Sequence, residues 1–152
     1  MSRILIFLLL VSSAGAFAQT TEQENYNINK NGVAIDGYDP VSYFNGKPEE
    51  GKKEYSSEID GVIYWFANED NLFAFEKAPL KYIPQYGGWC AYAMGLKPEK
   101  VKIDPETYKI VDGKLYLFYN FYLTNTLKSW NKDEDRLKNN ADKNWATIIE
   151  EK

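Results

Sequence analysis

Two Asp-Gly dipeptides limit the fold of this chain more than any other sequence feature. Asp60-Gly61 and Asp112-Gly113 each separate two short runs that are rich in β-branched and aromatic residues. A two-residue hairpin loop needs positive φ at both central residues, and Asp-Gly is among the pairs that tolerate this best. The sequence therefore predicts two antiparallel β-hairpins, over residues 55–66 and 108–119.

A helical pattern follows each hairpin. Asn68 is placed to cap a helix over residues 69–78, with Pro79 just beyond its end. Its apolar face is expected to consist of Leu72, Phe75 and the flanking Phe73. The C-terminal tail has apolar residues at helical spacing, and its charged run at 132–135 is positioned to divide it into two helices. The apolar positions of the tail are Leu127, Trp130, Leu137, Ala141, Trp145 and Ile148. Strand, strand and helix thus occur twice, which predicts an α+β fold with a small antiparallel sheet and helices packed on it.

The two hairpins are related by an interval of 52 residues, measured from Gly61 to Gly113. At this interval Tyr64 corresponds to Tyr116 and Phe66 to Phe118. The correspondence fits either an internal duplication or the general sequence requirements of hairpins, and the sequence alone leaves both open.

The N-terminus has the pattern of a cleaved export signal. Arg3 precedes an apolar run over residues 4–11, and Ala16-Phe17-Ala18 is a small-x-small cleavage motif. The apolar run is shorter than the roughly 20 residues that span a bilayer. We predict a signal peptide at 1–18 with cleavage between Ala18 and Gln19, a loose lead-in at 19–31 and one domain at 32–152. The mature protein is expected to be periplasmic or secreted, with no membrane span.

Composition excludes several classes of function. The chain has no histidine, the commonest general base and metal ligand, and a single cysteine, so no internal disulfide forms. Its net charge of −4 disfavours nucleic acid and anionic membrane surfaces as partners. No phosphate-binding loop, zinc spacing or serine motif with a base partner is present. An aromatic-rich core of Tyr, Phe and Trp is expected instead.

Two local signals lie outside the hairpins. Asp39 followed by Pro40 is a good helix start, which predicts a short turn over residues 41–44. Tyr38 and Tyr43 flank Asp39, so this carboxylate is also a candidate for lining a pocket. Short strands are predicted at 33–35 and 101–103.

The segment over residues 82–95 contains the only candidate for sulfur chemistry. Gly87 and Gly88 favour a tight turn into a helix beginning near Trp89, which would place Cys90 in the first turn, where the helix dipole lowers the pKa of a thiol. Met94 would then share a helix face with Cys90, and a thiolate with a thioether suits copper(I). The alternative interpretation is that Cys90 is a small buried apolar residue. A thiol redox role stays open as well, although no resolving cysteine exists.

Three stretches of this chain resemble one known family. Residues 37–44 read GYDPVSYF, residues 59–95 include YGGWCAYA, and residues 103–120 read IDPETYKIVDGKLYLFYN. Together they resemble exported bacterial proteins of the YHS-domain family. The resemblance implies an association with heavy metals, because metal-linked members carry cysteines just after Asp-Pro-Val and after the second strand. This chain has Ser42 at the first position and Ala67 and Asn71 around the second, so the ligand cysteines are missing and the metal association does not carry over through those positions.

The sequence therefore leads to three functional hypotheses. The first is an exported, non-enzymatic binding or accessory protein of YHS type, whose partner is an unidentified small ligand or envelope protein. Its aromatic pocket is expected to contain Tyr38, Asp39, Tyr86, Gly87, Gly88, Trp89, Cys90 and Tyr92. The second is soft-metal binding or delivery, with copper held by Cys90 and Met94. The third is a thiol-based redox role of Cys90.

Overall fold

The computed structural model describes residues 23–150; the predicted signal peptide, its cleavage site and residues 19–22 lie outside the described part. The chain begins with two 3-10 turns, Ile35–Gly37 and Ser42–Asn45, and continues into the first hairpin. The second turn confirms the short helical segment predicted after Asp39-Pro40. At 33–35 the backbone forms only isolated bridges, one of them between Val33 and Ile63.

Both predicted hairpins are present, and the α+β class is confirmed. β1 (Lys52–Ile59) pairs with β2 (Val62–Phe66), and β3 (Asp104–Val111) pairs with β4 (Lys114–Phe118). All four turn residues have positive φ, from 51° at the aspartates to 77° at Gly61. Each hairpin forms its own two-stranded sheet, and side-chain packing rather than a shared ladder joins the two.

The hairpins share one irregularity at the same place. In the first, Lys52 lies opposite Phe66 and Ser56 opposite Trp65, so the register slips between these pairs. In the second, the slip falls between Asp104 opposite Phe118 and Tyr108 opposite Leu117, again 52 residues further on. An unusual bulge repeated at one interval is a stronger sign of an internal repeat than the hairpin turns alone.

The first repeat continues into α1 (Glu69–Lys77). Asn68 caps the N-terminus of this helix, because its side chain accepts a hydrogen bond from the Asn71 N–H. A further short helix, α2 (Pro79–Tyr82), follows at once, because proline suits the first helical position. Phe75 is fully buried, whereas Phe73, expected on the apolar face, is 58% exposed. Phe73 contacts the Lys77 ammonium instead.

The second half is mainly helical. The 3-10 turn Gln85–Gly88 leads into α3 (Ala91–Leu96), and the tail forms α4 (Thr126–Trp130) and α5 (Glu134–Glu150). The predicted division of the tail at its charged run is thus confirmed. The apolar face of the tail is buried as predicted, most completely at Trp130.

Two features of the second half differ from the sequence prediction. A third, very short hairpin, β5 (Asn120–Phe121) with β6 (Thr124–Asn125), precedes α4. It turns at Tyr122 with φ 55°, without the glycine that signals such turns, so no local sequence signal predicts it. The predicted strand at 101–103 does not form.

Two apolar clusters make up the core, and the second hairpin lies between them. Leu115 and Leu117 pack into the first cluster from one face of β4, while Tyr116 and Phe118 pack into the second from the other face. The second cluster also contains buried residues from the helical half: Tyr86, Ala91, Met94, Trp130, Leu137 and Ala141. The first contains most of the buried residues of the N-terminal half, including Val62, Tyr64, Phe66 and Phe75. Hairpin 1 therefore borders the core on one face only.

Residues 23–31 are not the loose lead-in that was predicted. The Gln23 amide donates to the Gly61 carbonyl, and the Asn27 N–H donates to the Gly87 carbonyl at 2.8 Å. Ile28 packs against the first cluster. This polar segment has no periodicity because its side chains serve individual hydrogen bonds, so a periodicity argument misses it.

Candidate functional site

Asp39 is the first of two buried polar centres in the predicted site. Its side chain is fully buried, and one carboxylate oxygen accepts hydrogen bonds from the Val41 and Ser42 N–H groups at 2.8 and 3.3 Å. The other oxygen accepts from the Ala67 N–H at 2.9 Å and from the Asn71 amide at 2.6 Å. Only donors face Asp39, which suits a carboxylate because it accepts and does not donate. Asp39 therefore caps the turn and ties it to the end of β2 and the start of α1.

The three positions that the family resemblance singled out meet at this carboxylate. Ser42, Ala67 and Asn71 each supply one of the hydrogen bonds to Asp39. Ser42 and Ala67 donate through their backbone N–H groups, and Asn71 is the one of the three donors that uses its side chain. No sulfur atom is among them.

Cys90 is the second buried centre, and it resembles Asp39 in its connections. Its Sγ accepts a hydrogen bond from the Tyr119 N–H at 3.3 Å and lies 3.4 Å from the Thr126 hydroxyl. The Thr126 hydroxyl has one hydrogen, which it donates to the Tyr119 carbonyl at 2.8 Å. The thiol must therefore donate to Thr126, and its hydrogen-bonding capacity is used in full. Cys90 is therefore a fully buried thiol whose hydrogen-bond partners all lie within the fold.

The two centres occupy matching places in the two repeats. Ala67 follows the last residue of β2, and Tyr119 follows the last residue of β4. Asn71 and Thr126 each lie in the first turn of the helix that comes next. The Asp39 and Cys90 N–H groups also donate to carbonyls ten and eleven residues further along the chain, at 2.9 Å in both cases. In each repeat, one buried side chain therefore connects three elements: the 3-10 turn or short helix, the hairpin, and the helix that follows it.

The structure corrects the predicted start of the helix after the glycine pair. α3 begins at Ala91, so Cys90 is the residue before the helix rather than a member of its first turn. Cys90 and Met94 are both fully buried, but Cys90 packs in the first cluster and Met94 in the second. Residues 23–150 contain no group of three or more His, Cys, Asp or Glu side chains placed to hold a metal ion.

The glycine pair is held by the N-terminal segment. Gly87 and Gly88 both have positive φ, 60° and 81°. A Cβ atom on Gly87 would lie 2.5 Å from the Asn25 carbonyl oxygen, so these two segments of the backbone are too close for a side chain at position 87. The Trp89 indole N–H donates to that same carbonyl at 2.8 Å, and the Asn27 amide donates to the Gly88 carbonyl. Gly87, Gly88 and Trp89 therefore have a clear structural role.

An open cleft lies beside this segment, with a volume of about 210 Å³. We call it the Tyr86 cleft; it is lined by Tyr26, Leu80, Ile83, Pro84, Gln85, Tyr86, Gly87 and Trp145. Leu80 stands on it 84% exposed. Two of the eight predicted pocket residues, Tyr86 and Gly87, line it. The sequence missed its other walls because α2, α5 and the N-terminal segment come together only in the folded chain.

Two tyrosines of the predicted site, Tyr38 and Tyr86, have raised pKa values. Burial, followed by a 2.8 Å hydrogen bond to the Asp142 carboxylate, raises the pKa of Tyr86. Burial and the nearby Glu106 carboxylate raise the pKa of Tyr38. Tyr38 and Tyr92 pack, partly buried, against the core and do not line the Tyr86 cleft.

Comparison with other proteins gives no further assignment: no protein-family model, curated protein or solved structure matches this chain. Among the described residues, no helix combines the length and the apolar character needed to cross a membrane.

Proposed function

We propose that this chain is an exported, non-enzymatic binding or accessory protein of YHS type. The observation that carries the proposal is the complete use of Asp39 and Cys90 within the fold. Asp39 accepts four hydrogen bonds, and Cys90 accepts one and donates one. Each of these two polar groups thereby holds the elements of its own repeat together, and recognition is left to the surface. The YHS type is proposed from the sequence resemblance of residues 37–44, 59–95 and 103–120.

The Tyr86 cleft is the recognition surface that we propose. Binding sites are typically concave and mostly apolar, with a few polar groups that fix orientation. Here Leu80 and Trp145 supply apolar surface, while Gln85 supplies an amide. The cleft is smaller than the roughly 300–1,000 Å³ of sites for drug-sized ligands, so an inserted side chain of an envelope protein fits it better than a metabolite.

Site-specific photo-crosslinking in intact cells tests this proposal. Leu80→benzoylphenylalanine places the reactive group on the rim of the cleft, at a side chain that is 84% exposed. We expect one discrete adduct. Leu96→benzoylphenylalanine is the matched control, because Leu96 is also apolar and 54% exposed but lies outside the cleft. Equal adducts at both positions, or none at position 80, would contradict the proposal.

Copper delivery and thiol redox chemistry both require the sulfur of Cys90 to leave its present contacts. Cys90→Ser separates these hypotheses from the first one, since a hydroxyl can take over the hydrogen bonds to Tyr119 and Thr126. If the crosslink at position 80 persists in the Cys90→Ser background, binding does not depend on sulfur. Loss of the adduct from a correctly folded variant would favour the metal or thiol role.

A further inference from the structure

The outer face of hairpin 1 carries a second concave surface, which we call the Trp65 groove. It has a volume of about 440 Å³ and is lined by Asn31, Val33, Lys53, Ser56, Ile63 and Trp65. This volume falls within the range of small-molecule sites. None of these six residues was predicted to bind a ligand. From this groove we infer a binding site for a small organic anion with a flat apolar body.

The internal repeat shows that this face is unusual. In hairpin 2 the residues corresponding to Ile63 and Trp65 are Leu115 and Leu117, and both are buried in the first cluster. In hairpin 1, Ile63 and Trp65 belong to neither cluster and remain partly exposed. One repeat therefore covers this face with its own core, while the other leaves it open.

Free hydrogen-bonding groups converge on the open face. Within the described part of the chain, the Trp65 indole N–H, the Lys53 ammonium, the Ser56 hydroxyl and the Asn31 amide have no hydrogen-bond partner or ion pair. By contrast, the indoles of Trp89 and Trp130 both donate hydrogen bonds. Ammonium and indole groups only donate, and the hydroxyl and amide can also donate, so the groove suits a ligand rich in acceptors.

The apolar floor of the groove is rigidly placed. Gly51 packs so closely that a Cβ atom there would lie 2.5 Å from the Trp65 carbonyl carbon, and one on Gly37 would lie 3.1 Å from the indole ring. The backbone thus supports one side of the Trp65 ring. The register slip of β1 begins at Lys52, which places Lys53 in the irregular part of the strand, and bulges commonly redirect side chains at functional sites.

These features define the class of ligand. A carboxylate or phosphate group would bind the Lys53 ammonium, aided by Ser56 and Asn31, and a planar ring would lie over Trp65 and Ile63. Charge-assisted hydrogen bonds are the stronger ones, so we assign most of the selectivity for anions to Lys53. The assignment is independent of the Tyr86 cleft and of any role of Cys90.

Titration followed by two-dimensional ¹⁵N–¹H NMR tests the site. The chain has four tryptophans, and Trp65→Phe identifies the Trp65 indole signal by its disappearance. The probes are benzoate and phenyl phosphate, with benzyl alcohol as the uncharged comparison. We expect the Trp65 signal to shift saturably with a Kd of about 1 mM or tighter, and with a much weaker response to benzyl alcohol.

A pair of neighbouring lysines supplies the matched control. Lys53→Met should weaken binding of both anions about three- to tenfold, as expected for loss of a charge-assisted contact. Lys52→Met makes the same change in net charge but removes a side chain that lies near the Tyr55 ring and outside the groove, so affinity should stay within about twofold. The inference is overturned if the Trp65 signal does not shift saturably. Equal losses in the two variants, or an equal response to benzyl alcohol, would also overturn it.

Discussion

Asp39→Asn is expected to lower the free energy of unfolding by about 2–4 kcal/mol. An amide offers one acceptor oxygen in place of two, so its NH₂ group must face either the Val41 and Ser42 N–H groups or the Ala67 N–H and Asn71 amide. One or two buried donors then lose their acceptor, because the Asn71 amide can rotate to accept but a backbone N–H cannot, at about 1–3 kcal/mol for each unsatisfied buried group. Urea unfolding followed by far-UV circular dichroism measures the change.

Asp36→Asn is the control for that experiment. Asp36 lies in the neighbouring 3-10 turn, is exposed and makes no side-chain hydrogen bond in the described part of the chain. Its φ of 50° is in the left-handed region, which asparagine tolerates well. We expect a change within about 0.5 kcal/mol, as for most surface substitutions. Similar losses for the two variants would mean that Asp39 does not organise the first repeat.

Gly95→Ala is the second substitution with a large expected effect on the free energy of unfolding. The sign of the change shows whether helix propensity or steric crowding is the larger contribution. Alanine is favoured over glycine inside a helix by about 1 kcal/mol. The added Cβ, however, would lie 2.5 Å from the Leu137 carbonyl oxygen and 3.1 Å from its carbon, where α3 packs against α5. Backbone atoms cannot rotate away as a side-chain end can, so the helices must separate. We expect a net loss of about 2–3 kcal/mol, since overpacking commonly costs this much or more.

Gly46→Ala separates crowding from a general effect of replacing glycine. Gly46 has φ 87°, and a Cβ atom there would meet nothing within 4 Å. Only the left-handed conformation costs energy, about 1–2 kcal/mol. A neutral or stabilising effect of Gly95→Ala in thermal unfolding would contradict the close packing of α3 on α5. The Gly46 variant should show a modest loss in either case.

The parts of the fold that were predictable from sequence depend on short-range rules. Asp60-Gly61 and Asp112-Gly113 need positive φ, Asn68 caps α1, and the tail has helical spacing, so each prediction used residues near one another in the chain. The β5–β6 hairpin was not predicted, because Tyr122 adopts the left-handed conformation at a turn that contains no glycine. Residues 23–31 escaped because their hydrogen bonds are to partners far along the chain.

The candidate site was only partly predictable, for a related reason. The sequence identified Asp39 and Cys90 as unusual, and both are buried polar centres. Their partners Asn71 and Thr126 lie 32 and 36 residues away and carry no motif. The Trp65 groove exists because neither core cluster covers this face of hairpin 1. The sequence does not indicate which face of a hairpin stays uncovered in the folded chain.

The reactivity of Cys90 in the native protein tests the central claim most directly. A thiol-reactive chromophore should modify the native chain far more slowly than the chain unfolded in urea, because the thiol is fully buried and contacts the Tyr119 N–H and the Thr126 hydroxyl. Elemental analysis of protein purified from its native cells should find no stoichiometric copper. Equal rates in the native and unfolded chains, or about one copper ion per chain, would contradict a purely structural role of Cys90. Either result would favour the copper or thiol redox hypothesis.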